Sequence, residues 1–214
     1  MILHGYFRSS SAYRCRIAFN IKGLDCEFRQ VHLKSGAQRE AAYKALNPQM
    51  LVPTLETDTG ERLTQSLAII EWLDETHPAS PLLSRDPLTR ARERAFAQVI
   101  ACEVHPLQNL RVLKYITNEL GADESQKSAW LSRWLTDGLE ACEGLLAARP
   151  VTADFCYGEA PGLADICLVP QVFSAQRFGV NIRHLPLVNA IYDRCMALPA
   201  FDAARPQNQP DFEA

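Results

Sequence analysis

The sequence predicts a small α/β domain followed by an all-helical domain. Over the first eighty residues, short β-rich runs alternate with segments whose apolar residues recur at helical spacing. Beyond the stretch Pro78-Ala-Ser-Pro81 the strand signal ends and only helical patterns follow. We therefore expect an α/β domain over residues 1–80 and a helical domain over residues 87–214, with Pro81 and Pro87 bracketing a linker.

The elements of the first half follow one another in an informative order. Residues 2–7 are rich in β-forming side chains, and from Ala12 onward the apolar residues lie on one helical face that Gly23 can end. The remaining predicted elements are a strand over 24–28, a loop and helix over 34–44, a strand over 52–57, a turn at 58–60, a strand over 62–64, and a helix over 67–77 capped by Ser66. This order, βαβ, then α, then ββα, is typical of a thioredoxin-like domain.

The second half is predicted to be helical over residues 87–120, 124–148, 162–175 and 186–197. His105 falls inside the first of these helices, with no second histidine at metal-ligand spacing, so a structural role is the simpler interpretation. Gly162-Leu-Ala-Asp165 has the pattern of a helix N-terminal box in which Asp165 accepts from backbone donors. We expect that box to stabilise the fold and to take no part in catalysis.

The composition excludes several classes of protein. Lys and Arg number 22 against 25 Asp and Glu, a net charge of −3, so no overall positive field attracts nucleic acid or an anionic membrane. No run of about eighteen apolar residues is present to span a bilayer. The first residues lack the basic and apolar regions of a signal peptide. We expect a soluble cytoplasmic protein.

The seven cysteines do not indicate a metal or redox site. Their number is odd and no two form a Cys-x-x-Cys pair, which argues against zinc fingers and dithiol motifs. Most lie among apolar neighbours, where a cysteine behaves as a small hydrophobic residue. We expect buried structural thiols and no bound metal.

Residues 8–11, Arg-Ser-Ser-Ser, lie between a predicted strand and a predicted helix. A helix N-terminus has unpaired N–H groups and a partial positive charge, so it stabilises an anion. Hydroxyl groups at the same place can donate to a thiolate, which is the nucleophilic form of a thiol. The alternative interpretation is that the serines only cap the helix and the turn.

Two further segments could contact an extended ligand. Val52-Pro53 begins a predicted strand, and a cis bond there would turn the Val52 backbone outward to pair with a peptide, although X-Pro bonds are usually trans. Gln65-Ser66 precedes a helix and could bind a carboxylate, or could serve only as a cap. Arg8, Arg111 and Arg177 carry guanidinium groups matched to carboxylates, but sequence spacing does not bring them together.

Taken together, these segments resemble the zeta class of glutathione transferases and, within it, the maleylacetoacetate isomerases. The matching pieces cover the whole chain in order, and the serine-rich segment that ends in Arg-x-Arg-Ile-Ala is the class signature. The pieces are Tyr6-Phe-Arg-Ser-Ser-Ser-Ala-Tyr-Arg-Cys-Arg-Ile-Ala, Ala45-Leu-Asn-Pro, Val52-Pro-Thr-Leu, Gln65-Ser-Leu-Ala-Ile-Ile-Glu-Trp-Leu, His105-Pro-Leu-Gln-Asn-Leu-Arg-Val-Leu and Leu163-Ala-Asp-Ile-Cys-Leu-Val-Pro-Gln. The resemblance implies the glutathione transferase fold, a homodimer and glutathione as cofactor.

The resemblance also implies roles for individual residues. Ser9 matches the serine that faces the glutathione sulfur, with Ser10 and Ser11 lining the same turn. Ser11 stands where the family usually has cysteine, and Gly162 where the helix box usually begins with Ser or Thr. The implied glutathione-binding residues are Ser9, Ser10, Ser11, Gln38, Val52, Pro53, Gln65, Ser66, His105 and Asn109, and the implied substrate-binding residues are Arg8, Arg111 and Arg177.

The implied reaction is the glutathione-dependent cis–trans isomerisation of maleylacetoacetate to fumarylacetoacetate, a step of tyrosine and phenylalanine catabolism. A glutathione thiolate adds reversibly to the cis double bond, and glutathione is regenerated. The alternative activities are maleylpyruvate isomerisation and the transfer of glutathione to small α-halo acids. A further alternative is a binding module without catalytic activity. The retention of Ser9, Val52, Gln65 and Ser66 argues against the last of these.

Overall fold

The computed structural model describes residues 1–150 and 152–213, which form two compact units. The first unit comprises Met1–Leu82 together with the C-terminal stretch that begins at Ala197, and the second comprises Leu83–Met196. The sequence placed the residues after 196 with the helical domain, whereas in the structure they pack in the first unit. Within the described ranges, no helix combines the length and the apolar character that crossing a bilayer requires.

The first unit is built on a four-stranded sheet in the order β2-β1-β3-β4. The strands are β1 (Ile2–Gly5), β2 (Glu27–Gln30), β3 (Thr54–Glu56) and β4 (Arg62–Thr64). Strand β1 pairs parallel with β2 and antiparallel with β3, and β3 pairs antiparallel with β4. The helices of this part are α1 (Ser10–Lys22), α2 (Ala41–Leu46) and α3 (Ser66–Thr76), with a 3₁₀ turn at Ala37–Arg39. The predicted thioredoxin-like order is confirmed.

Several helices and strands begin at residues other than the predicted ones, and each difference has a local cause. Helix α1 begins at Ser10 because the Ser9 side chain accepts from the Ala12 N–H and caps it. Strand β3 begins at Thr54, after a proline that has no N–H to give to the ladder. Ser66 is the first residue of α3, and Gln65 occupies the capping position in its place. The predicted stop at Gly23 is confirmed, with a left-handed φ of 64°.

The C-terminal residues join the first unit through hydrogen bonds to helix α1 and the turn before it. Helix α9 (Pro199–Ala203) follows Met196, and Asn20 Nδ2 donates to the Ala200 carbonyl over 2.8 Å. Arg16 donates from Nε to the Ala204 carbonyl and from Nη2 to the Phe7 carbonyl. Burial lowers the pKa of Arg16 to about 10. These contacts join residues far apart in sequence, so local patterns do not predict them.

The second unit is helical, but its first predicted helix is interrupted. The continuous helix expected over residues 87–120 is wrong. Helix α4 (Pro87–Gln98) passes into a π-helical turn at Val99–Val104 and a 3₁₀ turn at His105–Gln108, and α5 (Leu110–Asn118) then starts anew. Pro106 lacks the N–H that an uninterrupted helix requires, and Asn109 caps α5 by accepting from the Arg111 N–H.

The other helices of the second unit are α6 (Glu124–Ala147), α7 (Leu163–Arg177) and α8 (Pro186–Met196). Helix α6 passes very close to the π-helical turn at one position. A Cβ atom built on Gly138 would lie 2.1 Å from the Val104 Cγ2 atom, so only glycine fits there. The lack of a side chain at Gly138 lets the turn that precedes His105 pack closely against α6.

The helix box at the start of α7 is confirmed as a structural device. Asp165 is fully buried, and its two carboxylate oxygens accept from the Gly162 and Cys156 N–H groups, each over 2.9 Å. Burial raises the pKa of Asp165, while these two donors act in the opposite direction. The carboxylate therefore satisfies two backbone donors where the chain enters the helix.

Replacing Asp165 by alanine should lower the free energy of unfolding by about 3 kcal/mol, because two buried N–H groups lose a charged acceptor. Urea unfolding followed by circular dichroism measures the loss. Asp193→Ala, an exposed change on α8, is the matched control and should shift the transition little. An equal effect of the two changes would contradict the role of Asp165.

Candidate functional site

The serine-rich turn places hydroxyl groups at the N-terminus of α1. Ser9 flanks the helix, and its Oγ accepts from the Ala12 N–H over 3.3 Å. The Ser9 and Ser11 Oγ atoms lie 3.1 Å apart, and Ser11 donates to the Val52 carbonyl over 3.0 Å. The structure thus brings together three of the residues singled out in the sequence, Ser9, Ser11 and Val52.

The single proton of Ser11 determines the direction of this chain of hydroxyls. Because that proton is donated to the Val52 carbonyl, Ser9 is the donor in its contact with Ser11. The Ser9 hydroxyl can turn its proton from Ser11 to a bound anion and still cap the helix. The cap is unaffected because it uses a lone pair of the oxygen. An anion at this place would also meet the N-terminal N–H groups of a thirteen-residue helix. The geometry is suited to holding a thiolate.

Val52 lies in a loop that a buried polar network fixes. Tyr43 Oη and Asn47 Nδ2 both donate to the Leu51 carbonyl, over 2.7 and 2.8 Å, and both contact the Thr54 hydroxyl. Burial raises the pKa of Tyr43, so its hydroxyl keeps its proton. The network holds the chain on either side of Val52.

The Val52–Pro53 peptide bond is cis. Ser11 donates to the carbonyl of Val52, and no backbone hydrogen bond joins the Val52 N–H to another described residue. An N–H group in this state can donate to an extended ligand. Pro53 itself precedes β3 and carries no N–H.

The start of α3 has an uncommon backbone conformation. Gln65 adopts φ 68°, a left-handed value that few residues other than glycine take. Its Nε2 donates to the Gln49 Oε1 over 3.0 Å, and the Ser66 that follows is buried. Strained residues of this kind occur preferentially at binding sites.

Arg14 was part of the sequence motif but received no role from sequence reasoning. It is only 1% exposed, and its Nη1 donates to the Ser66 Oγ over 3.2 Å. Its Nε and Nη2 atoms have no hydrogen-bond partner in the described chain. The one sequence signal was its place in the motif, because its partner lies 52 residues away.

Two other candidates of the first unit are less closely defined. Gln38 lies in the 3₁₀ turn Ala37–Arg39, and its Oε1 is buried without a hydrogen-bond partner in the described residues. Arg8 is half-buried, with its guanidinium carbon 5.7 Å from the centre of the Phe7 ring. The structure shows no hydrogen bond that joins either residue to Ser9.

The candidates of the second unit lie on two elements. His105 begins the 3₁₀ turn that Trp130 holds by donating from Nε1 to the Leu107 carbonyl, and Asn109 and Arg111 follow at the start of α5. Arg111 is exposed. Arg177 ends α7, with its guanidinium carbon 4.0 Å from the centre of the Phe178 ring.

The cysteines are free thiols, and most are buried. Burial raises the pKa of Cys142 to about 12, and it also raises the pKa values of Cys156 and Cys195. A thiol with such a pKa carries almost no thiolate at neutral pH. Within the described part of the chain, no group of three or more His, Cys, Asp and Glu side chains is arranged to hold a metal ion.

Comparisons with known proteins agree with this geometry. A family model for the glutathione S-transferase N-terminal domain matches residues 3–81. A maleylacetoacetate isomerase of Pseudomonas aeruginosa is 47% identical over the full length of both chains. The chain belongs to the glutathione S-transferase family. A maleylpyruvate isomerase of a Ralstonia species is 44% identical over 99% of both chains.

Solved structures of family members also resemble this chain over its full length. The holo structure of a bacterial maleyl pyruvate isomerase of the zeta class superposes with a TM-score of 0.97 at 44% identity over both full chains. A maleylacetoacetate isomerase of Methylobacterium extorquens AM1, with malonate and glutathione bound, gives 0.97 at 37% identity over both full chains. The resemblance to the zeta class and the glutathione transferase fold are confirmed, and the family uses glutathione.

The described residues fit glutathione in three respects. Ser9 and the N-terminus of α1 can face a thiolate, and the Val52 N–H can pair with an extended peptide backbone. Ser66 and the buried guanidinium of Arg14 can meet a carboxylate. A thiol, a peptide backbone and a carboxylate are the groups that the tripeptide carries.

Proposed function

We propose that the protein is a glutathione-dependent cis–trans isomerase that converts maleylacetoacetate to fumarylacetoacetate. The observation that carries the proposal is the hydrogen-bonded group of Ser9, Ser11 and Val52 at the N-terminus of α1, which is suited to a thiolate. The full-length identity to maleylacetoacetate isomerases supports the choice of substrate. The reaction belongs to tyrosine and phenylalanine catabolism.

Glutathione, when bound, supplies a thiolate that adds reversibly to the cis double bond of the substrate and leaves again after rotation about that bond. The Ser9 hydroxyl donates a hydrogen bond to the sulfur and so favours the ionised thiol. The same hydroxyl otherwise donates to Ser11 over 3.1 Å, and Ser10 is the first residue of the helix. The helix N-terminus stabilises the negative charge.

The remaining glutathione contacts are proposed from the chemistry of each group. The Val52 N–H pairs with the cysteinyl backbone, Pro53 fixes the loop beside it, and Ser66 with Gln65 binds the γ-glutamyl carboxylate. Gln38 offers a side-chain amide, and in the helical unit we assign His105 and Asn109 to the same ligand. These assignments rest on the family motif and on the donors and acceptors that each residue carries.

We propose Arg8, Arg111 and Arg177 as the residues that bind the substrate's carboxylates. A guanidinium group pairs with a carboxylate through two parallel hydrogen bonds, which fixes orientation as well as position. A substrate held at its ends can rotate about its central bond without leaving. Arg111 is exposed on α5 and is therefore available to a ligand.

A second candidate is maleylpyruvate isomerisation, the same chemistry on a shorter diacid. It is favoured by the 44% identity to the Ralstonia enzyme and by the similarity to a zeta-class maleyl pyruvate isomerase structure. The three arginines suit either dicarboxylate. Transfer of glutathione to small α-halo acids is a further activity that the same thiolate site could support.

We further propose that the protein acts as a homodimer in the cytoplasm. Members of this family are typically dimeric, and seven free thiols are in keeping with a reducing compartment. Sedimentation equilibrium tests the first point, because a mass near the 23.9 kDa of one chain at micromolar concentration would contradict a dimer.

The substrate proposal predicts glutathione-dependent turnover. Initial rates on maleylacetoacetate and on maleylpyruvate, each with and without glutathione, should show turnover only with the thiol and a preference for maleylacetoacetate. The opposite preference would move the enzyme to gentisate-type ring degradation and leave the residue roles in place. No turnover of either, with glutathione still bound, would contradict the isomerase proposal.

Arg111→Ala should raise the KM for the dicarboxylate substrate by about tenfold, because one charged hydrogen-bonded contact is lost. Glutathione binding should be unchanged. Arg133→Ala on α6, which removes an exposed arginine paired with Asp137, is the matched control and should leave KM unaltered. Unchanged turnover and substrate binding in Arg111→Ala would count against the assignment.

A further inference from the structure

The turn that leads from β1 to Ser9 is held by side chains from outside it. Within the turn, the Ser9 N–H donates to the Tyr6 carbonyl over 3.0 Å. The Phe7 N–H donates to Asp211 Oδ2 over 2.8 Å, and the Phe7 carbonyl accepts from Arg16 over 2.9 Å. The turn before Ser9 is therefore joined to a carboxylate 204 positions further along the chain.

Asp211 belongs to the segment 209–213, which also packs on this turn through an aromatic ring. The Phe212 and Phe7 rings lie edge to face with their centroids 5.5 Å apart, and the Arg8 guanidinium carbon lies 5.7 Å from the centre of the Phe7 ring. At the start of the segment, a side-chain amide donates to two carbonyls at and just after the end of α9. The segment is thus fixed to the first unit before it reaches the turn.

The same segment binds the loop that follows β2. His32 Nδ1 accepts from the Ser35 N–H over 3.0 Å, so its Nε2 carries the proton and donates to Glu213 Oε1 over 2.7 Å. Lys34 pairs with the other oxygen of that carboxylate over 3.6 Å. The His32 carbonyl accepts from the first N–H of the 3₁₀ turn that contains Gln38. The segment therefore joins two loops of the proposed glutathione site.

Asp211 gives the Phe7 N–H a charged acceptor. A hydrogen bond to a carboxylate is shorter and stronger than one to a neutral oxygen. The other carboxylate oxygen, Oδ1, is buried without a hydrogen-bond partner among the described residues. Burial lowers the pKa of Arg16, and the negative charge of Asp211 acts in the opposite direction. The carboxylate thus holds the turn on one side while Arg16 holds it on the other.

We propose that Asp211 is a positioning residue for the thiolate site: by binding the Phe7 N–H, it fixes the turn from which Ser9 donates to the sulfur of glutathione. The inference rests on the proposed function and deepens it. A hydrogen bond weakens steeply when its donor is displaced or turned away from the acceptor. Loss of the Asp211 carboxylate should therefore weaken the bond from Ser9 to the thiolate, although Asp211 itself does not touch the ligand.

The test follows the pKa of the thiol of glutathione bound to full-length variants, measured by thiolate absorbance. Asp211→Ala should raise this pKa by about half a unit, because the Ser9 hydrogen bond that favours the thiolate is weakened. Asp211→Asn keeps an oxygen that can accept from the Phe7 N–H, so it should shift the pKa by less than about 0.2 unit. The loss of a negative charge alone would instead lower the pKa of the thiol in both variants.

Two further variants separate positioning from folding. Asp202→Ala, on α9, removes an exposed carboxylate that pairs with Arg205, and this matched control should leave the pKa of the bound thiol unchanged. Phe212→Ala removes a ring that is 44% exposed and packs on the turn, so it should fold and should also raise the pKa. It carries the test if Asp211→Ala does not fold, as judged by circular dichroism.

An unchanged pKa of the bound thiol in Asp211→Ala, or in Phe212→Ala where that variant carries the test, would overturn the proposal and make the contact purely structural. An equal change in Asp211→Ala and Asp211→Asn would also overturn it. An unaltered protein that binds glutathione with the pKa of a free thiol would overturn the roles of Ser9 and Asp211, and one that binds no glutathione would overturn the proposed function as well. A rise in Asp211→Ala that Asp211→Asn does not share supports the role of Asp211.

Discussion

The N–H groups in the first turn of α1 have no partners within the helix and need acceptors from elsewhere. This requirement organises the first unit. Ser9 satisfies one of them with an oxygen lone pair, and this leaves its proton free to point elsewhere. Ser9 donates a hydrogen bond to Ser11, and Ser11 donates one to the Val52 carbonyl, so side chains join the helix start to the loop before β3. A capping arrangement that stabilises the fold is therefore also one that can hold an anion.

The N-termini of α1 and α3, both in the first unit, have different polar surroundings. At α1 the hydroxyls are half-buried and hydrogen-bonded to one another, which suits a group that ionises on binding. At α3 the hydroxyl of Ser66 is backed by the fixed charge of Arg14, which suits a ligand group that is already charged. The thiol and the carboxylate of one tripeptide match this division.

Sequence reasoning succeeded where a feature depends on neighbours along the chain. The cap at Ser9, the stop at Gly23 and the box at Asp165 are local devices, and the structure contains each of them. The break in the helix over residues 99–109 had one local signal, Pro106, which the continuing apolar pattern outweighed.

The features that sequence reasoning missed depend on contacts between distant residues. The partner of Arg14 is 52 positions away, and Arg16 reaches the carbonyl of Ala204 at the far end of the chain. The loop at Val52 is held by Tyr43, whose hydroxyl had no visible purpose in the sequence. The role of a buried polar side chain depends on the group with which it forms a hydrogen bond, and no local sequence pattern specifies that group.

The most direct test of the account is the ionisation of the bound thiol. Thiolate absorbance of glutathione bound to the protein, followed against pH, should give a pKa at least about one unit below the usual value near 8.5 for a free thiol. Ser9→Ala, which removes the hydroxyl donor, should return the pKa toward that usual value, and Ser9→Thr should keep it low. A bound thiol that titrates like the free one in the unaltered protein would contradict the role of Ser9 and the helix N-terminus.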